Sequence, residues 1–118
     1  MPRSQRFPRA HRLTKGSDFE RVYRAGELIQ NGHFRIFIQV RAESLPPRLG
    51  LSLMRRLGQA TVRNRIKRWI REWFRACHEQ LPGADWVVQP KPASARLAHK
   101  DLRESLEKLV SSWKIRDS

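Results

Sequence analysis

Apolar and polar residues alternate along two stretches of this chain with the period of a strand. Residues 33–41 and 48–54 alternate every second position, which indicates two strands with one face toward a core. The short apolar segment 86–89 is typical of a buried strand, and residues 27–31 suit an extra strand. In the first stretch Phe34, Ile36, Ile38 and Val40 share the face that is expected to point inward.

Three further segments show the period of a helix. They cover residues 17–25, residues from Thr61 onward and residues 99–113. Ser17 and Glu20 have the spacing of a capping box, so they are expected to start the first helix. Gly26 is expected to end it in a left-handed conformation, and Thr61 is expected to cap the second helix. The order α-β-β-β-α-β-α predicts an α+β fold, with about three helices on a small mixed sheet.

The second helix has two contrasting faces. Its apolar stripe consists of Val62, Ile66, Trp69, Ile70, Trp73 and Cys77, with Phe74 near the boundary. Its opposite face is almost purely cationic and consists of Arg63, Asn64, Lys67, Arg68, Arg71 and Arg75. Like charges four residues apart destabilise an isolated helix, so this pattern favours a surface that binds a polyanion over an ordinary solvated face.

Aromatic residues mark a second candidate surface. By the alternation, Phe37 lies on the polar face of its strand, which favours contact with a ligand. Phe19 and Tyr23 are four residues apart on one helix face, where core packing and base stacking are equally good interpretations. Gly50 and Ser52 are small enough to let another group lie close to the sheet.

Composition narrows the function. The 118 residues include 25 Lys and Arg against 11 Asp and Glu, a net charge of +14, which indicates a nucleic-acid partner before an anionic membrane surface. No apolar segment approaches the ~20 residues of a membrane span, and no secretory signal is visible. The single Cys77 is expected to be a small buried residue in a reducing cytoplasm. Histidines without metal spacing and the lack of a phosphate-binding loop predict no protein active site and no protein-bound metal or cofactor.

The chain divides into three predicted parts. Residues 1–12 hold two prolines and four arginines without periodicity, so they are expected to be a flexible basic arm. Residues 13–113 form a single predicted RNA-binding domain, and residues 114–118 a polar tail.

Residues 58–71 carry a specific motif. They read Gly-Gln-Ala-Thr-Val-Arg-Asn-Arg-Ile-Lys-Arg-Trp-Ile-Arg, built around an Arg-Asn-Arg core followed by Lys-Arg. This segment resembles the bacterial ribonuclease P protein family. The resemblance extends over most of the chain, through residues 11–19, 48–52 and 91–94.

The resemblance implies a subunit of a cytoplasmic ribonucleoprotein that removes the 5′ leader of precursor tRNA. In that family a catalytic RNA cleaves the bond with Mg²⁺, so no catalytic residue is expected in the protein, which is expected to be a monomer in a 1:1 complex. The implied RNA-subunit contacts are Arg55, Arg56, Arg63, Asn64, Arg65, Lys67, Arg68 and Arg71. The implied leader cleft consists of Phe19, Tyr23, Phe37, Arg35 and His33.

The resemblance also implies a fold of the ribosomal protein S5 domain 2-like type. That fold contains an unusual left-handed βαβ crossover around the motif helix, whereas the general rule favours a right-handed one.

Other interpretations stay open at this point. A ribosomal or RNA-chaperone-type protein would share the positive charge without a role in cleavage. A DNA-binding basic helix would need a dimerising heptad segment, but the chain breaks at Pro82-Gly83. A protein-only nuclease would need metal-binding acids, which the sequence does not present.

Overall fold

The structure, a computed structural model, describes residues 11–41 and 45–117, with side chains through Lys114. The helices are α1 (Gly16–Ala25), α2 (Ala60–Cys77) and α3 (His99–Asp117). The strands are β1 (Glu27–Gln30), β2 (Phe34–Val40), β3 (Arg48–Leu51) and β4 (Ala84–Pro90). The predicted α+β class and the order of elements are confirmed, including the extra strand before β2. None of the described helices is long and apolar enough to cross a membrane.

The four strands form one mixed sheet in the order β1-β2-β4-β3. β1 pairs with β2 and β2 with β4 in antiparallel fashion, whereas β3 runs parallel to β4. Because α2 connects these two parallel neighbours, it forms the predicted βαβ crossover. The left-handed sense of that crossover stays a prediction of the resemblance.

The main core lies between one face of the sheet and the helices α2 and α3. From α2 the fully or nearly fully buried side chains are Ile66, Ile70, Trp73 and Phe74. From α3 they are Leu102, Leu106, Leu109, Val110 and Trp113, which recur with the helical period predicted for residues 99–113. A fully buried side chain of this size contributes about 1.5–3 kcal/mol, so docking of α2 is strongly favoured and its opposite face turns to solvent.

Three details of the predicted core differ. Phe74 was expected at the boundary of the stripe but is completely buried, because it belongs to the main core between the helices and the sheet. Cys77 is only half-buried. Val40 was expected inside but is 62% exposed, because it is the last residue of β2.

A smaller cluster covers the other face of the sheet. Leu13, Val22 from α1 and Val87 from β4 are its buried members. The ring of Phe19 lies against Gly50, where an added Cβ would be 2.8 Å from Phe19 Cζ. The room that this glycine provides is therefore taken by a side chain of α1.

The predicted helix caps are wrong. α1 begins at Gly16 and α2 at Ala60, and neither helix has a side-chain cap hydrogen bond. Each helix therefore begins one residue before its predicted cap, which was Ser17 for α1 and Thr61 for α2. Ser17 and Thr61 therefore lie inside the first turn, where they cannot serve as N-caps.

Gly26 ends α1 in an extended conformation, with φ −85°, not in the predicted left-handed one. Close packing explains the glycine instead, since an added Cβ would lie 2.5 Å from the carbonyl oxygen of Val22 and 2.9 Å from that of Ile38. In the described residues, the glycine with positive φ is Gly58, at 137°.

The ends of several elements shift. β3 stops at Leu51, and only the N–H of Ser52, which donates to the carbonyl of Val88 at 3.1 Å, continues its ladder. The chain then leaves the sheet for a 3₁₀ turn at Arg55–Leu57. α3 continues to Asp117, so most of the predicted polar tail is helical.

Most of the predicted basic arm, residues 1–10, lies outside the described residues. Its last residue, Arg12, is docked: it forms a parallel bridge with Leu49 of β3. The division into arm, domain and tail otherwise stays a prediction.

Candidate nucleic-acid interface

The solvent side of α2 is a continuous basic surface, called here the cationic face, which consists of Arg63, Asn64, Lys67, Arg68, Arg71 and Arg75. A shallow groove runs along it, and Glu72 is the acid that lines this groove. Among the described residues, no ion pair involves Arg63, Lys67, Arg68 or Arg71. The helix therefore presents cations whose charge the described protein does not neutralise.

The loop before α2 extends this surface. Arg55 and Arg56 are exposed in the 3₁₀ turn that precedes the helix. Gly58, which follows this turn, has a positive φ, a backbone conformation that glycine adopts without steric strain. The guanidinium of Arg63 donates to the carbonyl of Gly58 at 2.6 Å, which ties the loop to the first turn of α2.

A ring cluster occupies the opposite face of the sheet and consists of Phe19, Tyr23 and Phe37. Tyr23 meets Phe37 edge to face, with 4.9 Å between ring centroids, and Phe19 lies 6.4 Å from Tyr23. The amide of Gln89 donates to the hydroxyl of Tyr23 at 3.2 Å. All three rings are half-buried, so they pack on the small cluster and still present surface to solvent.

Basic residues flank this cluster unequally. Arg35 is exposed, and strand alternation puts it on the same face of β2 as Phe37. His33 is not brought to the rings: its Nδ1 lies 3.0 Å from the hydroxyl of Ser105 on α3. The turn before β2 causes this placement, because Asn31 caps the N–H groups of His33 and Phe34 and also donates to Ser105.

A buried carboxylate lies near the ring cluster. Asp85 is fully buried at the start of β4 and accepts two hydrogen bonds from Arg48, both at 2.8 Å. Arg21 of α1 donates to it at 2.9 Å, and a guanidinium nitrogen of Arg41 lies 3.7 Å away. Arg21 also contacts Asp18 at 3.1 Å, so this Asp85 cluster ties α1 to the sheet.

The Asp85 cluster shifts the ionisation of its members. Burial alone would raise the pKa of Asp85, but the hydrogen bonds from Arg48 and Arg21 hold it below its ordinary value. The same hydrogen bonds raise the pKa of Arg48 and of Arg21. Asp85 is thus an ionised group whose neighbours compensate its burial.

The thiol of Cys77 and the possible metal ligands are two separate cases. Burial raises the pKa of the Cys77 thiol to about 11, which keeps it protonated at neutral pH. Within the described residues, 11–41 and 45–117, no group of three or more His, Cys, Asp or Glu side chains could hold a metal ion.

Comparisons with known proteins show which family this chain belongs to. The ribonuclease P family model matches residues 7–114. The chain belongs to the ribonuclease P protein family. A ribonuclease P protein component of Syntrophobacter fumaroxidans is 38% identical, covering 87% of each chain. One of Macrococcus caseolyticus is 34% identical, over 86% of this chain and 89% of that one.

Solved structures of ribonuclease P proteins agree with the fold. The protein from Staphylococcus aureus matches with a TM-score of 0.82 and 30% identity, over 88% of this chain and 95% of that one. The Thermotoga maritima protein matches with a TM-score of 0.75 and 34% identity, over 83% and 93%. The predicted family is confirmed.

Within the family motif the second arginine differs from its neighbours. Arg65 stacks over Trp69, with its guanidinium carbon 5.1 Å from the ring centroid, and donates to the carbonyl of Ala95 at 3.0 Å. It is half-buried and links α2 to the turn before α3. The contact of Arg65 with RNA stays a prediction. Its structural role could not be predicted from the spacing of residues in the motif.

Trp69 extends the link to the start of α3. His99 stacks on it with 4.8 Å between ring centroids and lies 3.3 Å from Glu72. These contacts hold the first turn of α3 without a Ser or Thr cap. The Asp85 cluster was missed altogether, although an acid at the start of an apolar strand in a strongly basic chain was a usable signal.

Proposed function

We propose that this ribonuclease P protein component binds the catalytic RNA of the enzyme through the cationic face and the loop at Arg55 and Arg56. It binds the 5′ leader of precursor tRNA across the ring cluster, with Arg35 beside it. The RNA cleaves the bond, and the protein holds substrate and RNA together in a cytoplasmic 1:1 complex.

The observation that carries the proposal is that four cations of the cationic face take part in no ion pair within the described part of the chain. Arg63, Lys67, Arg68 and Arg71 repel one another along α2, and no ion pair of the described protein involves them. RNA phosphates would remove that repulsion, and arginine forks can bind two phosphate oxygens at once. Counterions released from the RNA would add to the affinity.

The ring cluster supports a single-stranded ligand. The half-buried rings pack edge to face, and they offer apolar surface on the side of the sheet where β2 also carries Arg35. A base stacked on such a ring gains about 1–3 kcal/mol without regard to its identity. That tolerance suits leaders that differ in sequence.

The proposed metal chemistry belongs to the RNA. The groups on the cationic face are guanidinium, ammonium and amide donors, and Mg²⁺ prefers oxygen ligands such as carboxylates. The residues of this face therefore do not fit a magnesium site. Their contribution is to neutralise and position phosphates.

Cleavage of precursor tRNA with and without a bacterial ribonuclease P RNA tests the proposal. The protein alone should not cleave, and the protein with the RNA should lower the Mg²⁺ concentration needed. Cleavage by the purified protein alone would contradict it. Protein that binds RNA in general but does not change this requirement would indicate a ribosomal or chaperone-type protein instead.

A substrate without its leader tests the ring cluster separately. Removing the leader should weaken binding to the holoenzyme, and Phe37→Ala should weaken binding only of the leader-bearing substrate. Val40→Ala, which removes an exposed apolar side chain from the other face of β2, is the matched control. If Phe37→Ala instead impairs assembly with the RNA subunit, Phe37 belongs to the other surface.

A further inference from the structure

Two histidines meet where the N-terminal segment passes the end of α2. The ring centroids of His11 and His78 lie 4.8 Å apart, and the ring planes are inclined by 43°. His11 directly precedes Arg12, which pairs with Leu49 of β3, and His78 directly follows α2. Because the two histidines are far apart in the chain, their spacing in the sequence could not indicate this pair.

Both histidines are carried by backbone that the fold holds in place. The N–H of Leu13, two residues after His11, donates to the carbonyl of Leu49 at 2.9 Å. His78 begins a 3₁₀ turn, in which the N–H of Leu81 donates to the carbonyl of His78 at 3.1 Å. A pair of side chains that is preorganised in this way loses less conformational entropy when it binds a ligand.

The ring of His78 has a preferred tautomer. Its Nδ1 lies 3.3 Å from the backbone carbonyl oxygen of Arg75. Since a carbonyl oxygen only accepts hydrogen bonds, Nδ1 carries the proton and Nε2 of the neutral ring carries the lone pair. Histidines that bind metals commonly donate their other N–H to a carbonyl oxygen in this way. Nε2 of His78 is therefore the nitrogen that can bind a metal ion.

The separation of the rings suits one metal ion between them. Zn–N bonds of about 2.0–2.1 Å put each ring centroid about 3.2 Å from the metal. Two such rings at a tetrahedral angle have centroids about 5 Å apart, close to the 4.8 Å between His11 and His78. Burial lowers the pKa of His11 and the charge of His78 lowers it further, which favours the neutral ring that a metal requires.

We propose that His11 and His78 together bind one Zn²⁺ ion. Imidazole nitrogen suits zinc, whereas Mg²⁺ prefers oxygen ligands, so the pair selects zinc over magnesium. Within the described part of the chain no third His, Cys, Asp or Glu completes a metal site with them, so water fills the other coordination positions. The bound ion clips the N-terminal segment to the end of α2. This site does not depend on the proposed function.

Zinc chloride is the probe, added to the full chain without a histidine tag in a buffer that does not bind metals. Calorimetric titration should show one site per chain, and the Tm should rise by about 5 °C at ten times Kd. In NMR spectra the Nε2 signal of His78 should move when zinc is added, while Nδ1 keeps its proton. The same concentration of Mg²⁺ should produce neither change.

Substitution of either histidine leaves one ligand, so His11→Gln and His78→Gln should each abolish the one-site titration curve. His11→Phe keeps a ring against His78 without a ligand nitrogen. It should lose the zinc response while its Tm without zinc stays near that of the wild type. His99→Gln is the matched control, because His99 lies 3.3 Å from Glu72 and not beside a second histidine. It should bind zinc as the wild type does.

Zinc stabilisation that survives His11→Gln or His78→Gln, or that is lost equally in His99→Gln, would overturn the proposal. A wild-type titration without a saturable site would do the same. The net charge of +14 repels a dication and salt screens that repulsion, so zinc affinity should not fall as sodium nitrate is added. A steep fall with salt would indicate zinc held by surface carboxylates and would contradict the histidine site.

Discussion

Arginine has opposite surroundings in the Asp85 cluster and on the cationic face of α2. In the cluster Arg21 and Arg48 donate to one buried carboxylate, and their charge is used inside the protein. On the cationic face Arg68 and Arg71 take part in no ion pair among the described residues. The same side chain stabilises the fold in one place and is available to a ligand in the other.

The position of the acid decides the difference. Register places Arg48 and Gln39 on either side of Asp85, and α1 brings Arg21 onto it. Glu72, the acid beside the cationic face, is engaged with His99 at 3.3 Å. Net charge alone therefore does not say which arginines are neutralised within the protein.

Asp85→Ala should have the largest effect on the stability of this fold. It would leave Arg48 and Arg21 close together without their buried counter-charge, and breaking such a pair typically costs about 3–5 kcal/mol. We expect about 3 kcal/mol, because the arginines are partly solvated, measured by urea unfolding. Asp101→Ala, at an exposed position of α3, should change it little, and a loss below ~1 kcal/mol for Asp85→Ala would refute a structural role.

Acid should destabilise the wild type through the same residue. The pKa of Asp85 is lower in the folded state, so its stabilisation is complete above the unfolded pKa of about 3.9 and is lost as pH falls through the folded value. Unfolding free energy should therefore fall below about pH 4. Asp85→Asn should flatten this part of the pH profile, and parallel profiles would contradict the assignment.

Arg68→Ala should affect RNA and leave the fold alone. Removing one charge-assisted contact of about 1.5–3 kcal/mol predicts at least about tenfold weaker binding to the RNA subunit. The salt slope should fall by about 1, with Tm unchanged. Arg103→Ala, an exposed residue of α3 that pairs with Glu107 of the same helix, is the control and should bind like the wild type.

Arg65→Lys should have the smallest effect and sharpens the contrast within one helix. Lysine keeps the charge but loses the planar group that stacks on Trp69 and donates to Ala95. We expect the unfolding free energy to fall by about 0.5–1 kcal/mol, while RNA affinity stays within a few-fold. A large loss of affinity without a change in stability would show that Arg65 contacts RNA through its fork.

Periodicity was sufficient for most of the fold. The alternation in β2 and the apolar stripes of α2 and α3 were correct because burial on one face imposes a period whatever the neighbouring element is. The helix starts were predicted wrongly. Ser17 and Thr61 are residue types that often cap helices, but each helix begins one residue earlier. The prediction of a left-handed conformation for Gly26 was also wrong. Close packing against Ile38 requires a glycine there, and a rule based on neighbouring residues in the sequence cannot show such a contact.

For the candidate site, the cationic face and the ring cluster were predictable, and His33 was not. Phe37 was recognised as an aromatic residue on a polar strand face, which is a property of the strand itself. His33 lies in a turn that Asn31 bends toward Ser105, so alternation does not apply to it. Arg12 and Arg71, which are far apart in the chain, line one small pocket that only folding creates.

By itself the sequence determined which elements form, which face of each is apolar, and that an excess of positive charge lies along one helix. Those properties depend on neighbours within a few residues of the chain. Only the tertiary structure decided which arginines are neutralised by Asp85, which one stacks on Trp69, and which take part in no ion pair among the described residues. The reason is that charge interactions act over distances in space, and strand register and helix docking set those distances.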